Sequence, residues 1–211
     1  MLALGVLLLV AYATSADPTK CCVDREFEAY LDEAGSYFTP QDKEFHPIKG
    51  FTTIAYDFYS KRMNMRVHNT LENGTETSSN LIFDYANQIE YAIYRGKCTA
   101  HKYHVPMRQP CIPANATYDG SLTMGYGPNT LKLETWKYAL PELNSDVKLS
   151  VSQDGCVPVV ESIYVKGKNG AKTDIIYIIS NFTPGIKHRS RLEIPTKCIG
   201  LVPKDTFIIG G

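Results

Sequence analysis

The five histidines are the first residues to test for chemistry, because an imidazole can bind a metal or move a proton near neutral pH. Two of them, His101 and His104, form an H-x-x-H motif. On a strand these side chains point to opposite faces, and on a helix the motif would lack the glutamate of a zinc protease. The chain also has no nucleophile elbow, phosphate-binding loop or dinucleotide-binding glycine motif. The sequence therefore predicts a protein that is not an enzyme.

The six cysteines are better suited to disulfides than to metal binding, since zinc sites need clustered ligands and these residues are mostly scattered singly. An even number behind a secretion signal predicts three bridges, although six cysteines allow 15 pairings. Adjacent cysteines rarely bond each other, so we expect the first two to tie the mature N-terminus to two different places. The six are Cys21, Cys22, Cys98, Cys111, Cys156 and Cys198.

Residues 1–16 read as a signal peptide. An apolar run of about ten residues is too short to cross a bilayer, and small residues follow it, with Ala13 and Ala16 as plausible cleavage points. We expect a secreted, extracellular protein, with the lysosome as an alternative destination. In such a protein, Asn73, Asn115 and Asn181 lie in N-x-[S/T] sequons and are predicted glycosylation sites on surface loops.

The elements that must position these residues are predicted to be strands. Residues 62–69 and 146–152 alternate apolar and polar side chains, as half-covered antiparallel strands do, whereas residues 173–180 are apolar on both faces and predict a central strand. Such runs recur about every ten residues between turn clusters, which is typical of a β-sandwich or barrel. The sequence predicts one all-β domain over residues 17–211, with minor helix.

Composition excludes several classes of protein. The 22 Lys and Arg residues balance 22 Asp and Glu residues, so the chain lacks the basic surface of a nucleic-acid binder. With 44% hydrophobic residues it can bury a core, which excludes global disorder.

Methionines and tyrosines on the predicted strands could line a pocket for an apolar ligand, because flexible Met and amphipathic Tyr suit such surfaces. An ordinary sandwich core explains the same pattern and is favoured by the pattern alone. The residues predicted to line the pocket are Met63, Met65, Ile89, Tyr91, Ile93 and Trp136.

Four segments together resemble the ependymin-related family in order and spacing, over roughly residues 21–198. They are residues 83–98 (FDYANQIEYAIYRGKC), 109–118 (QPCIPANATY), 131–136 (LKLETW) and 155–159 (GCVPV). The resemblance implies a secreted glycoprotein of LolA-like fold, in which two curved antiparallel sheets enclose a hydrophobic pocket. It also implies a hydrophobic or lipid-like ligand, calcium as a cofactor, adhesion to the extracellular matrix and a homodimer. It supplies no motif that places calcium ligands on particular residues.

The same resemblance implies a pairing of the cysteines. Cys98 would bond Cys198, and one of Cys21 and Cys22 would bond Cys156. Cys111 departs from the vertebrate members and would take the other N-terminal cysteine. We therefore expect an extracellular carrier of an apolar ligand, with a calcium-dependent adhesion protein that acts through its surface and dimer interface as the rival hypothesis.

Overall fold

The computed structural model describes residues 17–205, so the predicted signal peptide lies outside the described residues. Eleven strands and four 3-10 turns make up its regular structure. The strands are β1 Glu26–Thr39, β2 Glu44–Asp57, β3 Arg62–Thr70, β4 Glu76–Asp84, β5 Ile89–Tyr94, β6 Lys97–Lys102, β7 Thr117–Tyr126, β8 Asn129–Leu140, β9 Ser145–Ser152, β10 Pro158–Lys166 and β11 Lys172–Pro184. The 3-10 turns are Pro141–Leu143, Lys168–Gly170, Arg189–Leu192 and Thr196–Cys198.

All eleven strands belong to one antiparallel sheet, in the order β6-β5-β4-β3-β2-β1-β11-β10-β9-β8-β7. The prediction of an antiparallel all-β fold is confirmed. The two expected sheets are continuous here, because β1 pairs with β11 along 11 residue positions and joins the halves. The alternating residues 62–69 and 146–152 fall within β3 and β9, and the run at 173–180 falls within the central β11.

Tight turns keep neighbouring strands in register. Arg95 and Gly96 join β5 to β6 with φ values of 47° and 77°, the two positive angles of a type I′ hairpin turn. Further along, Asn181 has a φ of 50° and lies where the pairing of β1 with β11 shifts by one residue. This bulge changes which side chains of β11 face inward beyond that point.

The sheet curves around one of its faces. Met63 on β3 and Tyr138 on β8 line the same cavity, although six strand spacings separate their strands in the sheet order. Six spacings of about 4.8 Å would hold them about 29 Å apart in a flat sheet. We call the face that closes on itself the inner face and the opposite one the outer face.

The inner face carries two groups of packed apolar side chains, one in each half of the sheet. The first surrounds Phe27, Ala29 and Tyr56 on β1 and β2. The second surrounds Trp136 on β8 and Val147 on β9. The cavity lies between these two groups, so its walls belong to both halves of the sheet.

The outer face is partly covered by residues 185–204, which we call the C-terminal segment. The Arg191 guanidinium donates to Asn64 Oδ1 at 3.4 Å and to Thr53 Oγ1 at 3.1 Å, and it lies 3.5 Å from the Glu28 carboxylate. Arg189 pairs with Glu26 in the same way. These contacts attach the C-terminal segment to β1, β2 and β3 on the face opposite the cavity.

Candidate functional site

The cavity on the inner face has a volume of about 310 Å³. That volume lies within the range of small-molecule sites in proteins. Most of its lining is apolar, as expected for a site whose binding energy comes from removing apolar surface from water. The apolar and sulfur-containing lining side chains are Val23, Phe27, Ala29, Leu31, Ile54, Met63, Val105, Pro106, Pro110, Cys111, Ile112, Pro113, Leu143, Leu149, Val151, Cys156, Pro158 and Ile179.

Residues 105–113, which we call the covering segment, form one wall of this cavity without belonging to the sheet. Its prolines at 106, 110 and 113 cannot donate to a strand ladder, which explains locally why the chain leaves the sheet after β6. The backbone is held instead by two hydrogen bonds, from Val23 N to Pro110 O at 2.8 Å and from Ile112 N to Cys21 O at 2.9 Å.

Two of the three disulfides anchor the same region. Cys22 bonds Cys111 in the covering segment, and Cys21 bonds Cys156 in the turn between β9 and β10. The adjacent cysteines thus tie two walls of the cavity to the residues just before β1. The third bridge, Cys98–Cys198, joins β6 to the C-terminal segment on the outer face. This is the pairing that the family resemblance implies.

The charged residues of the lining are Arg108, on the covering segment, and Glu161, on β10. Arg108 is exposed and lies at the mouth of the cavity, whereas Glu161 is half-buried on its wall. Burial raises the pKa of Glu161 above its ordinary value, and the Arg108 guanidinium opposes this increase without cancelling it. Near neutral pH the wall therefore favours the uncharged form of Glu161 more than water does.

Four tyrosines place hydroxyl groups around the same space. Burial raises the pKa of Tyr56 to about 12 and also raises the pKa values of Tyr85, Tyr103 and Tyr138. The Tyr56 hydroxyl donates a hydrogen bond to the Arg108 carbonyl, which fixes the covering segment to β2. The cavity thus combines apolar walls with neutral hydroxyl groups.

A further acid lies on the inner face, away from the cavity lining. Glu90 is opposite Phe83 on β4 and His101 on β6, and only 7% of its surface is exposed. Burial raises its pKa to about 7. His101 is also buried and contacts Thr99 through Nε2 at 3.1 Å, whereas His104 is exposed in the following loop.

Of the six residues predicted to line a pocket, the structure places Met63 against the cavity. Met65 is half-buried on the same face, one pair further along β3, and Trp136 packs in the core beside the cavity. Ile89, Tyr91 and Ile93 lie on the outer face, which corrects their predicted placement.

The correction follows from the strand register. Directly opposite residues of antiparallel strands share a face. Met63 is opposite Phe83, and Phe83 is opposite Glu90, so the inner face of β5 carries Glu90 rather than Tyr91. Alternation within β5 shows which side chains lie together but cannot show which face the sheet folds around.

The sequence reasoning missed the two charged lining residues. Arg108 stands between two prolines of a non-strand segment, so no periodicity marks it as facing inward. Glu161 did carry a signal, because it occupies an inward position of β10 in line with Ile163, where a buried apolar residue is expected.

The three sequon asparagines are all exposed in the structure. Asn73 lies in the turn between β3 and β4, Asn115 precedes β7, and Asn181 lies at the bulge of β11. Their glycosylation stays a prediction.

The calcium that the resemblance implies stays a prediction. Among residues 17–205, no three His, Cys, Asp or Glu side chains lie together as metal ligands would. The helices of the described chain are 3-10 turns of three or four residues, far below the length that a bilayer requires.

Comparisons by sequence find similarity to ependymin and to ependymin-related proteins. Ependymin-related protein 1 from Haliotis asinina is 26% identical over 203 residues, which cover 92% of this chain and 98% of that protein. Ependymin from Notemigonus crysoleucas is 30% identical over 94 residues, which cover 43% of this chain and 41% of that protein.

Among solved structures, an uncharacterized conserved protein from Thermus thermophilus aligns with a TM-score of 0.50 at 8% identity, covering 86% of this chain and 91% of that one. At this identity the likeness concerns the fold alone. A LolA superfamily protein from Nitrosomonas europaea aligns with a TM-score of 0.36 at 7% identity, covering 81% and 91% of the two chains, and supports no inference about this one.

The family model described as Ependymin matches residues 73–198, which is more than half of the chain. The matched residues include the covering segment, the strands β8, β9 and β10, and both cysteines of the Cys98–Cys198 bridge. The protein belongs to the ependymin family.

Proposed function

We propose that this protein is an extracellular carrier that binds a hydrophobic, lipid-like ligand in the cavity on the inner face. The observation that carries the proposal is an apolar cavity of about 310 Å³ with walls from both halves of the sheet and from the covering segment. Each methylene of a ligand buried there contributes about 0.8 kcal/mol before the entropy of association is subtracted. The proposal describes a binding protein and assigns it no catalytic step.

The disulfides suit this role. A hollow core forfeits packing contacts that a solid core would have, so it benefits from other sources of stability. Cys21–Cys156 and Cys22–Cys111 anchor two walls of the cavity, and they also fit an oxidising extracellular environment.

The experiment is binding of N-phenyl-1-naphthylamine, an uncharged fluorescent probe, to delipidated protein. Ala29 lies on the inner face of β1 against the cavity, so Ala29→Phe should fill part of the space and weaken probe binding about tenfold or more. Ala34→Phe is the matched control, because Ala34 lies on the other face of the same strand and is exposed.

Retained fluorescence in Ala34→Phe and its loss in Ala29→Phe would support the carrier function. Binding that is equal in both variants, or no probe binding by the wild-type protein, would contradict it. Calcium binding, adhesion to the matrix and dimerisation stay predictions from the family resemblance.

A further inference from the structure

The cation at the cavity mouth lacks an acidic partner. None of the ion pairs among residues 17–205 includes Arg108. The only acidic side chain in the cavity lining, within the described part of the chain, is Glu161, and its burial favours the uncharged form. The mouth therefore presents a positive charge beside an apolar cavity, and no ion pair within residues 17–205 includes that charge.

Arg108 lines the cavity, and its side chain interacts with that of Tyr138, another lining residue. The guanidinium is close enough to lower the pKa values of Tyr56, Tyr138 and Glu161, which lie on three different strands, β2, β8 and β10. For each of these three groups, burial raises the pKa by more than the guanidinium lowers it. These residues surround the same space, so Arg108 stands where a polar head group would emerge from the cavity.

The backbone at Arg108 is held in place. The Tyr56 hydroxyl donates to its carbonyl, and the Cys22–Cys111 bridge anchors the chain three residues later. A guanidinium on an anchored backbone loses less conformational freedom when it binds an anion, which strengthens the interaction.

We propose that the ligand is a single-chain amphiphile with a carboxylate head group, that its chain occupies the apolar cavity, and that the Arg108 guanidinium binds the carboxylate at the mouth. This inference rests on the proposed function and adds the chemical class of the ligand. A planar guanidinium matches a carboxylate with two parallel N–H donors. The cavity volume is at the lower end of the range for ligand sites, which suits one chain rather than two.

Burial raises the pKa of the Glu161 carboxyl, which makes it a weaker competitor for the guanidinium than an exposed carboxyl would be. Glutamine at this position can donate a hydrogen bond to the head group without ever carrying a negative charge. Glu161→Gln should therefore bind the anionic amphiphile at least as tightly as the wild-type protein does.

The experiment measures how three amphiphiles of equal chain length displace N-phenyl-1-naphthylamine from delipidated protein at about pH 8. The three are myristate, tetradecanol and tetradecyltrimethylammonium, which carry negative, zero and positive head charge. Wild-type protein should bind myristate the most tightly. Arg108→Gln should lose about ten- to hundredfold in myristate affinity, the value of a charge-assisted hydrogen-bonded contact, and keep its affinity for tetradecanol.

Two controls isolate the charge at the mouth. Arg66→Gln removes an exposed arginine of the outer face and should leave all three affinities unchanged. Arg108→Lys keeps the positive charge but loses the two parallel N–H donors of the guanidinium. Its myristate affinity should therefore lie between those of the wild-type protein and Arg108→Gln. Probe binding itself verifies that each variant has retained the cavity.

The outcomes separate the two proposals. If the probe binds but myristate and tetradecanol displace it equally, or if Arg108→Gln weakens both to the same extent, the head-group assignment is wrong and the carrier function stands. Preferred binding of tetradecyltrimethylammonium that Glu161→Gln abolishes would likewise overturn it. If the wild-type protein binds neither probe nor amphiphile, the proposed function fails.

Discussion

At the scale of single residues, the inner face is unusual in carrying acids where a solid core would have apolar side chains. Glu90 and Glu161 both lie on this face, and burial raises the pKa of each carboxyl. A buried acid binds its proton more tightly than the same acid does in the unfolded chain. The stability of the protein should therefore fall as the pH rises through the range in which these acids ionise.

Glu90→Gln tests this at one position. The pKa of Glu90 rises from 4.5 in its ordinary state to about 7 in the folded protein, so the folded state holds an extra proton between these values. Below about pH 4 the substitution should leave the free energy of unfolding nearly unchanged. By about pH 8 the variant should be more stable than the wild-type protein by about 1 to 3 kcal/mol, since it avoids a buried charge.

Urea denaturation at both pH values measures the difference. Glu44→Gln removes an exposed carboxyl, serves as the matched control and should not reproduce the gain in stability of Glu90→Gln at the higher pH. A Glu90→Gln effect of the same size at both pH values would mean that packing, not ionisation, explains it.

At the scale of elements, the covering segment depends on its disulfide for position. Cys22–Cys111 and Cys98–Cys198 link residues 89 and 100 positions apart, so the chain-entropy model assigns both a similar stabilisation of about 4 to 5 kcal/mol. The two bridges differ in location. The first anchors a wall of the cavity, and the second joins β6 to the C-terminal segment on the outer face. Removing each in turn separates stability from binding.

The double variant Cys22→Ala/Cys111→Ala should bind the uncharged probe about three- to tenfold more weakly, because the released covering segment samples open conformations. Cys98→Ala/Cys198→Ala should lose similar stability and keep the wild-type Kd. Fluorescence titration at a temperature where both variants are folded measures the two values. Equal losses of affinity in both variants would argue against a specific role of the covering segment.

The C-terminal segment is a second element whose attachment can be tested. Arg191 and Glu28 have side chains only 13% and 14% exposed, and their contact holds the segment to the outer face. Arg191→Met would leave the Glu28 carboxylate unpaired and should destabilise the protein by about 2 to 4 kcal/mol. Chemical denaturation measures this, and Arg66→Met, at an exposed position of the same face, should change stability by less than about 0.5 kcal/mol.

Binding should be unaffected by Arg191→Met, because the cavity lies on the other side of the sheet. A loss of probe affinity that matches the loss of stability would show that the two faces are coupled.

At the scale of the whole molecule, the sequence predicted the strands whose pattern is local and missed those whose pattern depends on the fold. β3 and β9 alternate cleanly and were predicted within a residue or two of their bounds. β1 was not predicted. Its inner positions are apolar at Phe27 and Leu31 but the next one is Glu33, so the apolar alternation stops there. β7 is an edge strand with mostly exposed side chains, so it had no apolar face to detect.

The candidate site was predicted less completely than the fold. The existence of a pocket followed from the family resemblance, and Met63 was placed in it from the strand pattern. Arg108 and Glu161 could not be assigned together, since they are 53 positions apart and line one cavity only because a curved sheet brings β10 near the covering segment. Register and curvature are properties of the assembled sheet, and no single strand encodes them.

A ligand that binds the folded protein alone must stabilise the whole sheet. At a concentration one hundred times its Kd, myristate should raise the free energy of unfolding by about 2.7 kcal/mol. Thermal denaturation of delipidated protein with and without the amphiphile measures the increase. Ala29→Phe should show little of it, and a full increase in that variant would place the binding site elsewhere.

Native mass spectrometry of the delipidated protein after incubation with myristate tests the central claim most directly, because it counts bound molecules per chain. The carrier account predicts one myristate per chain in the wild-type protein and in Ala34→Phe, and a strongly reduced fraction in Ala29→Phe. Several weakly bound molecules per chain, or equal occupancy in all three proteins, would contradict a single ligand held inside the curved sheet.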